Sequence, residues 1–206
     1  KSSAVVSERT VDNQYTMRDV LGRGGFAEVM RAVQKSTGRE VAVKSIDKAV
    51  TMEADPDAIR NELETLCACR QHPHIVSYIE HFDTPDRFFI VTELLGGGEL
   101  LRVLSEEDGV YATFTEGNAR QIMSQLLAAL KFMHENGYIH RDIKPENLLL
   151  ESRAPNAPVK LCDMGMSRRL ADGETLSDWC GTPAYQAPEM VRRQPYSFGV
   201  DVWSAG

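Results

Sequence analysis

His140-Arg141-Asp142-Ile143-Lys144-Pro145-Glu146-Asn147 and, a short way downstream, Asp163-Met164-Gly165 are the stretches whose reading decides the fold. Together they supply a carboxylate that can orient a hydroxyl, Asp142, and a lysine that can steady a phosphate, Lys144. They also supply an amide oxygen and a second carboxylate, Asn147 and Asp163, that can hold a metal ion. Phosphoryl transfer needs these parts, because its catalysis is mostly positioning plus charge neutralisation.

Working outward, Leu21-Gly22-Arg23-Gly24-Gly25-Phe26-Ala27-Glu28-Val29 and Val41-Ala42-Val43-Lys44 come before this stretch. Ala187-Pro188-Glu189 and Asp201-Val202-Trp203-Ser204 come after it. The glycine run alone reads as a turn. Five stations in this order leave coincidence little room. They resemble the glycine-rich loop, phosphate-binding lysine strand, H-R-D-x-x-x-x-N catalytic loop, metal-binding Asp and activation-segment end of the eukaryotic protein kinases. Lys144 is similar to the lysine common in Ser/Thr kinases and unusual in tyrosine kinases.

The resemblance implies an α+β, bilobal protein-kinase-like fold. A small antiparallel β-sheet lobe with one helix would occupy residues 15–95, and a mainly helical larger lobe residues 96–206, after a flexible tail at 1–14. In the family several helices follow the one that Asp201-Val202-Trp203 opens, whereas here only Ser204-Ala205-Gly206 remain. The expectation is therefore a truncated catalytic domain.

The same resemblance implies ATP and Mg²⁺ and gives residues their roles. Gly22 and Gly24 would let the backbone approach phosphates, because no Cβ intervenes. Ala27 stands where the family has a third glycine, and its methyl would stiffen the loop. Leu21 and Val29 would cover the adenine, with Ala42 beside it and Leu100 and Leu149 beneath. The backbone of Glu93 and Leu95 would bond its edge, Thr92 would guard the back of the pocket, and Glu99 would reach the ribose. Lys44, held by Glu62, would grip the α and β phosphates, and Glu64 is the runner-up for Glu62. Asn147 and Asp163 would hold Mg²⁺, a hard ion that prefers oxygen ligands. Asp142 would accept the substrate proton late in transfer, and Lys144 would neutralise charge on the moving group. Thr182 resembles the threonine that bonds the catalytic Asp and Lys, and Asp201 would tie down the backbone of His140 and Arg141. Asp178 stands where many relatives carry an activating phosphate and would pair with Arg141 and Arg168. Met164 replaces the usual Phe and would fill the same slot with weaker geometric specification. Cys162, just before Asp163, would wall the nucleotide pocket.

Local patterns agree with these placements. Tyr15 to Ile46 reads as strands, with Gly38 ending a turn and Ala42 and Lys44 opposite Val41 and Val43. Asp55-Pro56 reads as a helix start, with Asp as N-cap and Pro in the first position. Ile59, Glu62, Leu63 and Leu66 share one face of that helix. Phe88 to Leu95 reads as a strand, with Gly96-Gly97-Gly98 as a hinge or turn. Ile122, Met123, Leu126, Leu127, Leu130 and Met133 mark an amphipathic helix that Asn136-Gly137 stops.

Bulk composition narrows the class. The 206 residues are 42% hydrophobic and 26% charged, ordinary for a globular chain. Cys67, Cys69, Cys162 and Cys180 lack zinc-like spacing and suit free thiols, which implies an intracellular, cytoplasmic setting with the nucleus also open. No apolar run approaches a membrane span, so no membrane partner is expected. The net charge of −7 argues against nucleic acid and suits basic peptides. Protein substrates with basic residues before the Ser or Thr are the expected partners. Leu148-Leu149-Leu150-Glu151-Ser152 and Gly97-Gly98-Glu99-Leu100 look most like the calcium/calmodulin-dependent kinase group. That likeness implies calmodulin or calcium regulation through a segment beyond Gly206. The alternative is a pseudokinase or nucleotide-binding scaffold without transfer activity. A tyrosine kinase is disfavoured by Lys144 and Thr182.

Overall fold

The computed structural model describes residues 9–25, 27–105, 115–154 and 156–206. In chain order the elements are α1 (Val11–Gln14), β1 (Tyr15–Arg23), β2 (Ala27–Gln34), β3 (Glu40–Asp47), α2 (Lys48–Ala54), α3 (Ala58–Cys69), β4 (Tyr78–Asp83) and β5 (Arg87–Glu93). Then come β6 (Gly98–Glu99), α4 (Leu100–Ser105), α5 (Glu116–Glu135), β7 (Tyr138–Ile139), β8 (Leu148–Leu150), β9 (Val159–Leu161), β10 (Arg168–Arg169), α6 (Pro188–Val191) and α7 (Gly199–Ala205). They form two compact units, residues 1–54 with 79–94, and residues 55–78 with 95–206.

The first unit is a five-stranded sheet in the order β1-β2-β3-β5-β4. The alternation in β3 buries Val41 and Val43 and leaves Ala42 and Lys44 partly accessible. Val41 and Val43 join Val11, Tyr15, Ala32, Phe82 and Val91 in one apolar cluster. Gly38, at φ 74°, closes the β2–β3 turn. Residues 9–14 are not the expected tail. Val11 is buried, the Thr10 side chain caps α1, and Arg9 pairs with Glu80 at 2.6 Å. Val11 joins the apolar cluster of the sheet, and the cap and the ion pair hold the rest of a segment that reads as polar. Residues 1–8 lie outside the described residues.

In the second unit the helix expected from Asp55-Pro56 begins later. Asp57 is its N-cap and Ala58 its first residue, while Asp55 Oδ1 accepts from the Asp57 N–H at 2.9 Å. Asp55 therefore closes a turn ahead of the helix instead of capping it. Helix α5 starts on a capping box: Thr115 Oγ1 accepts from the Asn118 N–H at 3.2 Å, and the Thr115 N–H donates to Asn118 Oδ1 at 3.0 Å. It ends at Asn136 with Gly137 at φ 78°. Ile122, Leu126, Leu130 and Met133 are buried along it, but Leu127, expected on the apolar face, is 44% exposed. Ala129 takes the inward position there, because at 3.6 residues per turn it aligns with Leu126, Leu130 and Met133. A second apolar cluster joins Ile139, Leu170, Leu176, Ala187, Met190, Tyr196 and Val200. Two small sheets, β6-β8-β9 and β7-β10, frame the loop 140–147. Among the described residues, no helix is long and apolar enough to cross a membrane.

Candidate active site

The loop from His140 to Asn147 is held by a carboxylate it does not contain. Asp201, near the start of α7, is fully buried. Its Oδ2 accepts from the His140 N–H at 2.9 Å and its Oδ1 from the Arg141 N–H at 2.8 Å. This is the anchoring expected of Asp201. It holds Arg141 at φ 71°, a conformation unfavourable for a residue with a Cβ. His134, in the last turn of α5, lies with Nε2 2.8 Å from Asp201 Oδ2. His140 is fully buried: its Nδ1 accepts from the Asp142 N–H at 3.2 Å, so Nε2 carries the proton and donates to the Cys162 carbonyl at 3.2 Å.

Four donors converge on the Asp142 carboxylate. The Thr182 N–H and hydroxyl donate to Oδ1 at 2.9 and 2.7 Å. Lys144 Nζ lies 2.8 Å from Oδ2, and Asn147 Nδ2 donates to the same oxygen at 3.2 Å. Lys144 also donates to Thr182 Oγ1 at 2.9 Å. Burial by itself would raise the Asp142 pKa. The Lys144 and Thr182 hydrogen bonds and the lysine charge outweigh it and hold the carboxyl below the usual aspartate value. Asp142, Lys144 and Thr182 thus meet as one polar triad.

Gly181 makes this meeting possible. It lies at φ 84°, and a Cβ there would collide with the Arg141 carbonyl oxygen. The segment before it is pinned by charge. Arg141 Nη1 pairs with Asp178 Oδ2, and Arg168 Nη1 lies 3.7 Å from the same oxygen, as the sequence led us to expect. Burial works to raise the Asp178 pKa, but the Arg141 charge and hydrogen bond depress it. Tyr196 and His134 are the residues that sequence reasoning missed. A lone tyrosine after Gln194-Pro195, and a histidine one place past the apolar stripe of α5, carry no periodic signal.

Asn147 commits its amide nitrogen to Asp142, donating also to the main-chain carbonyl at 2.8 Å, so its oxygen is the atom that could hold a metal ion. The Cys162 N–H donates to the Asn147 carbonyl at 2.9 Å, which brings the chain before Asp163 alongside the loop. Asp163 is exposed at φ 57°. An amide oxygen and one carboxylate suit Mg²⁺, which binds through one or two protein oxygens plus phosphates and waters. Met164 is fully buried, in keeping with the slot expected for it.

The residues expected to bind nucleotide are distributed over both units. In the first, strand register aligns Gly22 with Val29 and Val29 with Lys44, and pairs Ala42 with Thr92. Leu21 and Gly24 are exposed on the β1–β2 hairpin, and Glu93 ends β5. In the second, Glu99 pairs with Leu149 across β6 and β8, and Leu95 lies just before Gly96. Of the two acids weighed on α3, Glu62 is buried, whereas Glu64 is exposed beside Arg60.

The sequence model of the family described as protein kinase domain matches residues 15–206. Calcium/calmodulin-dependent protein kinase type 1 of Caenorhabditis elegans is 38% identical over 199 residues, covering 96% of this chain and 55% of that protein. The type 1 enzyme of Macrobrachium nipponense is 37% identical over 197 residues, covering 95% and 55%. Calcium/calmodulin-dependent protein kinase type IV of Mus musculus is 40% identical over 192 residues, covering 93% and 39%. The chain spans about half the length of the curated relatives it matches.

Proposed function

The chain belongs to the protein kinase domain family, and on that premise we propose that its complete catalytic domain is a Ser/Thr protein kinase. It transfers the γ-phosphoryl group of ATP to Ser or Thr hydroxyls of proteins. The observation that carries this reading is the Thr182 hydroxyl, which bonds both Asp142 and Lys144.

Asp142 is ionised at neutral pH and therefore a weak base. It orients the incoming hydroxyl and takes its proton late, once bonding to phosphorus has made that proton acidic. Lys144 and Asp142 satisfy each other before substrate arrives. As Lys144 swings to the phosphoryl oxygens, Asp142 Oδ2 is released to the hydroxyl, and Thr182 keeps the carboxylate from turning. Asn147 and Asp163 would hold Mg²⁺, which supplies charge neutralisation at the phosphates. Lys44 would grip the α and β phosphates, as the likeness to the family implies. The family's likeness assigns the rest of the nucleotide to Leu21, Gly22, Gly24, Val29, Ala42, Thr92 and Glu93 of the first unit and to Leu95, Glu99 and Leu149 of the second.

Exposed Glu99 and Glu146 support a preference for basic residues before the acceptor. The calcium/calmodulin-dependent names of the relatives support regulation by calmodulin through a segment outside these 206 residues. Cysteine spacing that suits free thiols, and the proposed use of ATP, support an intracellular, cytoplasmic or nuclear setting. No observation favours the pseudokinase alternative, since Lys44, Asp142, Asn147 and Asp163 are all present.

The test is phosphate transfer from ATP by the complete domain to a peptide library containing Ser, Thr and Tyr acceptors. Transfer to Ser or Thr after basic residues is expected. No transfer, or transfer to Tyr alone, rejects the reading.

A further inference from the structure

The pairing of Asp178 with Arg141 leaves one question of physical chemistry. Arg141 is buried but Asp178 is 44% exposed, so water on the aspartate side weakens the pair. Yet Asp178 lies only a few residues before Thr182, whose place against Asp142 tolerates little drift. A second group shares with the ion pair the hold on this stretch of chain.

Tyr196 does so at two levels. Its backbone forms a two-bond bridge with Leu176: the Leu176 N–H donates to the Tyr196 carbonyl at 2.9 Å, and the Tyr196 N–H to the Leu176 carbonyl at 2.8 Å. Its ring is 3% exposed within the second apolar cluster. There the hydroxyl donates to the Asp178 carbonyl oxygen at 2.8 Å and accepts from Arg141 Nη1 at 3.1 Å, with Cys180 Sγ 3.7 Å away. A tyrosine kept only for packing could be phenylalanine. Here the hydroxyl serves a donor on the buried Arg141 and the Asp178 main-chain carbonyl together, and it lies 3.3 Å from Asp178 Oδ1.

The contacts connect in series. Asp201 holds the Arg141 backbone, Arg141 meets the Tyr196 hydroxyl, and Tyr196 holds the main chain of Leu176 and Asp178. The chain then runs through Cys180, whose carbonyl accepts from Gln186 Nε2 at 2.7 Å, to Gly181 and Thr182.

We propose that Tyr196 is a positioning residue that latches segment 175–182 onto the catalytic loop. Its hydroxyl and the Asp178 carboxylate act as one unit, so that Thr182 stays seated on Asp142 without an added phosphate. The proposal rests on the kinase reading for its consequence in activity, but not for the order of the segment.

The test uses the complete domain after phosphatase treatment, as wild type, Tyr196→Phe, Asp178→Ala and the double variant. Hydrogen exchange of the amides from 176 to 182 is read alongside kcat and the KM values for peptide and ATP. Tyr196→Phe should speed exchange at 178–182 and lower kcat, each on the order of tenfold, as expected for one buried bond. The KM for ATP should not change. The double variant should lie within about twofold of the worse single one, because contacting groups of one unit do not act additively. Unchanged exchange in Tyr196→Phe, or single effects that multiply, overturns the latch. If no preparation transfers phosphate, the kinase reading fails while exchange still decides the latch. Should Tyr196→Phe not fold, Asp178→Asn decides alone. Amides 178–181 should loosen while that of Leu176 stays protected by the Tyr196 carbonyl, and loosening of both or of neither overturns the proposal.

Discussion

The Thr182 hydroxyl donates to Asp142 Oδ1 at 2.7 Å across a sequence separation of 40 residues, and it accepts from Lys144 at 2.9 Å. One side chain thus sets the orientation of the carboxylate and the resting place of the cation. Neither the loop 140–147 nor the segment 175–182 holds the triad alone.

Asp142→Asn should lower kcat by about 10²–10⁴ while ATP affinity is kept, since a positioned general base contributes that much. Thr182→Ala should cost less. Loss of a hydrogen bond to a charged group is worth about 1.5–3 kcal/mol, or roughly 10- to 150-fold in kcat. Steady-state kinetics with separate ATP titration checks both. Equal kcat in Thr182→Ala and wild type would remove the threonine from the mechanism.

The depressed pKa of Asp178 makes a prediction for acid. A carboxyl with a lower pKa folded than unfolded stabilises the fold fully above the unfolded value, about 3.9 for Asp. That contribution disappears as pH falls through the folded value. Asp178→Ala should therefore melt below wild type at pH 7, and the gap should close below about pH 4. Melting curves from pH 7 to pH 3 test this, and a gap independent of pH would assign the effect to packing.

Two glycines are irreplaceable for different reasons. A Cβ on Gly97 would lie 2.6 Å from both the Leu150 and Ser152 carbonyl oxygens, so Gly97→Ala forces backbone apart. It should cost about 1–3 kcal/mol, the usual range for overpacking. Gly181→Ala meets the Arg141 carbonyl and a left-handed φ of 84°, and it should depress kcat more than stability because Thr182 follows it. Urea unfolding and kinetics on both variants separate the two, and equal kcat losses would contradict the assignment.

Thr115→Ala removes the side-chain half of the capping box on α5. It should lower stability by about 0.5–2 kcal/mol and leave the KM for peptide and ATP unchanged. Thermal unfolding checks the first, and kinetics the second.

Much of this was legible in the chain because it is local. The alternation Val41-Ala42-Val43-Lys44 placed the two valines inward, the 3.6-residue period located α5, and Asn136-Gly137 marked its end. The spacing Asp142-Ile143-Lys144-Pro145-Glu146-Asn147 put the acid, cation and amide on one short loop. The local reading erred where two residues could serve one role: Asp55 instead of Asp57 at the start of α3, and Leu127 instead of Ala129 on the buried face of α5.

By itself the sequence determined which residue types lie on which local element, since φ/ψ preferences and periodicity act over a few residues. Tertiary structure alone decided which of them meet. His134 reaches Asp201 across a sequence separation of 67 residues because α5 and α7 pack side by side. Tyr196 meets Arg141 across 55 residues only once the second apolar cluster has closed around its ring. Single polar side chains such as these have no period to announce them. Their partners are set by the burial of apolar neighbours, which leaves each buried donor and acceptor to be satisfied within reach.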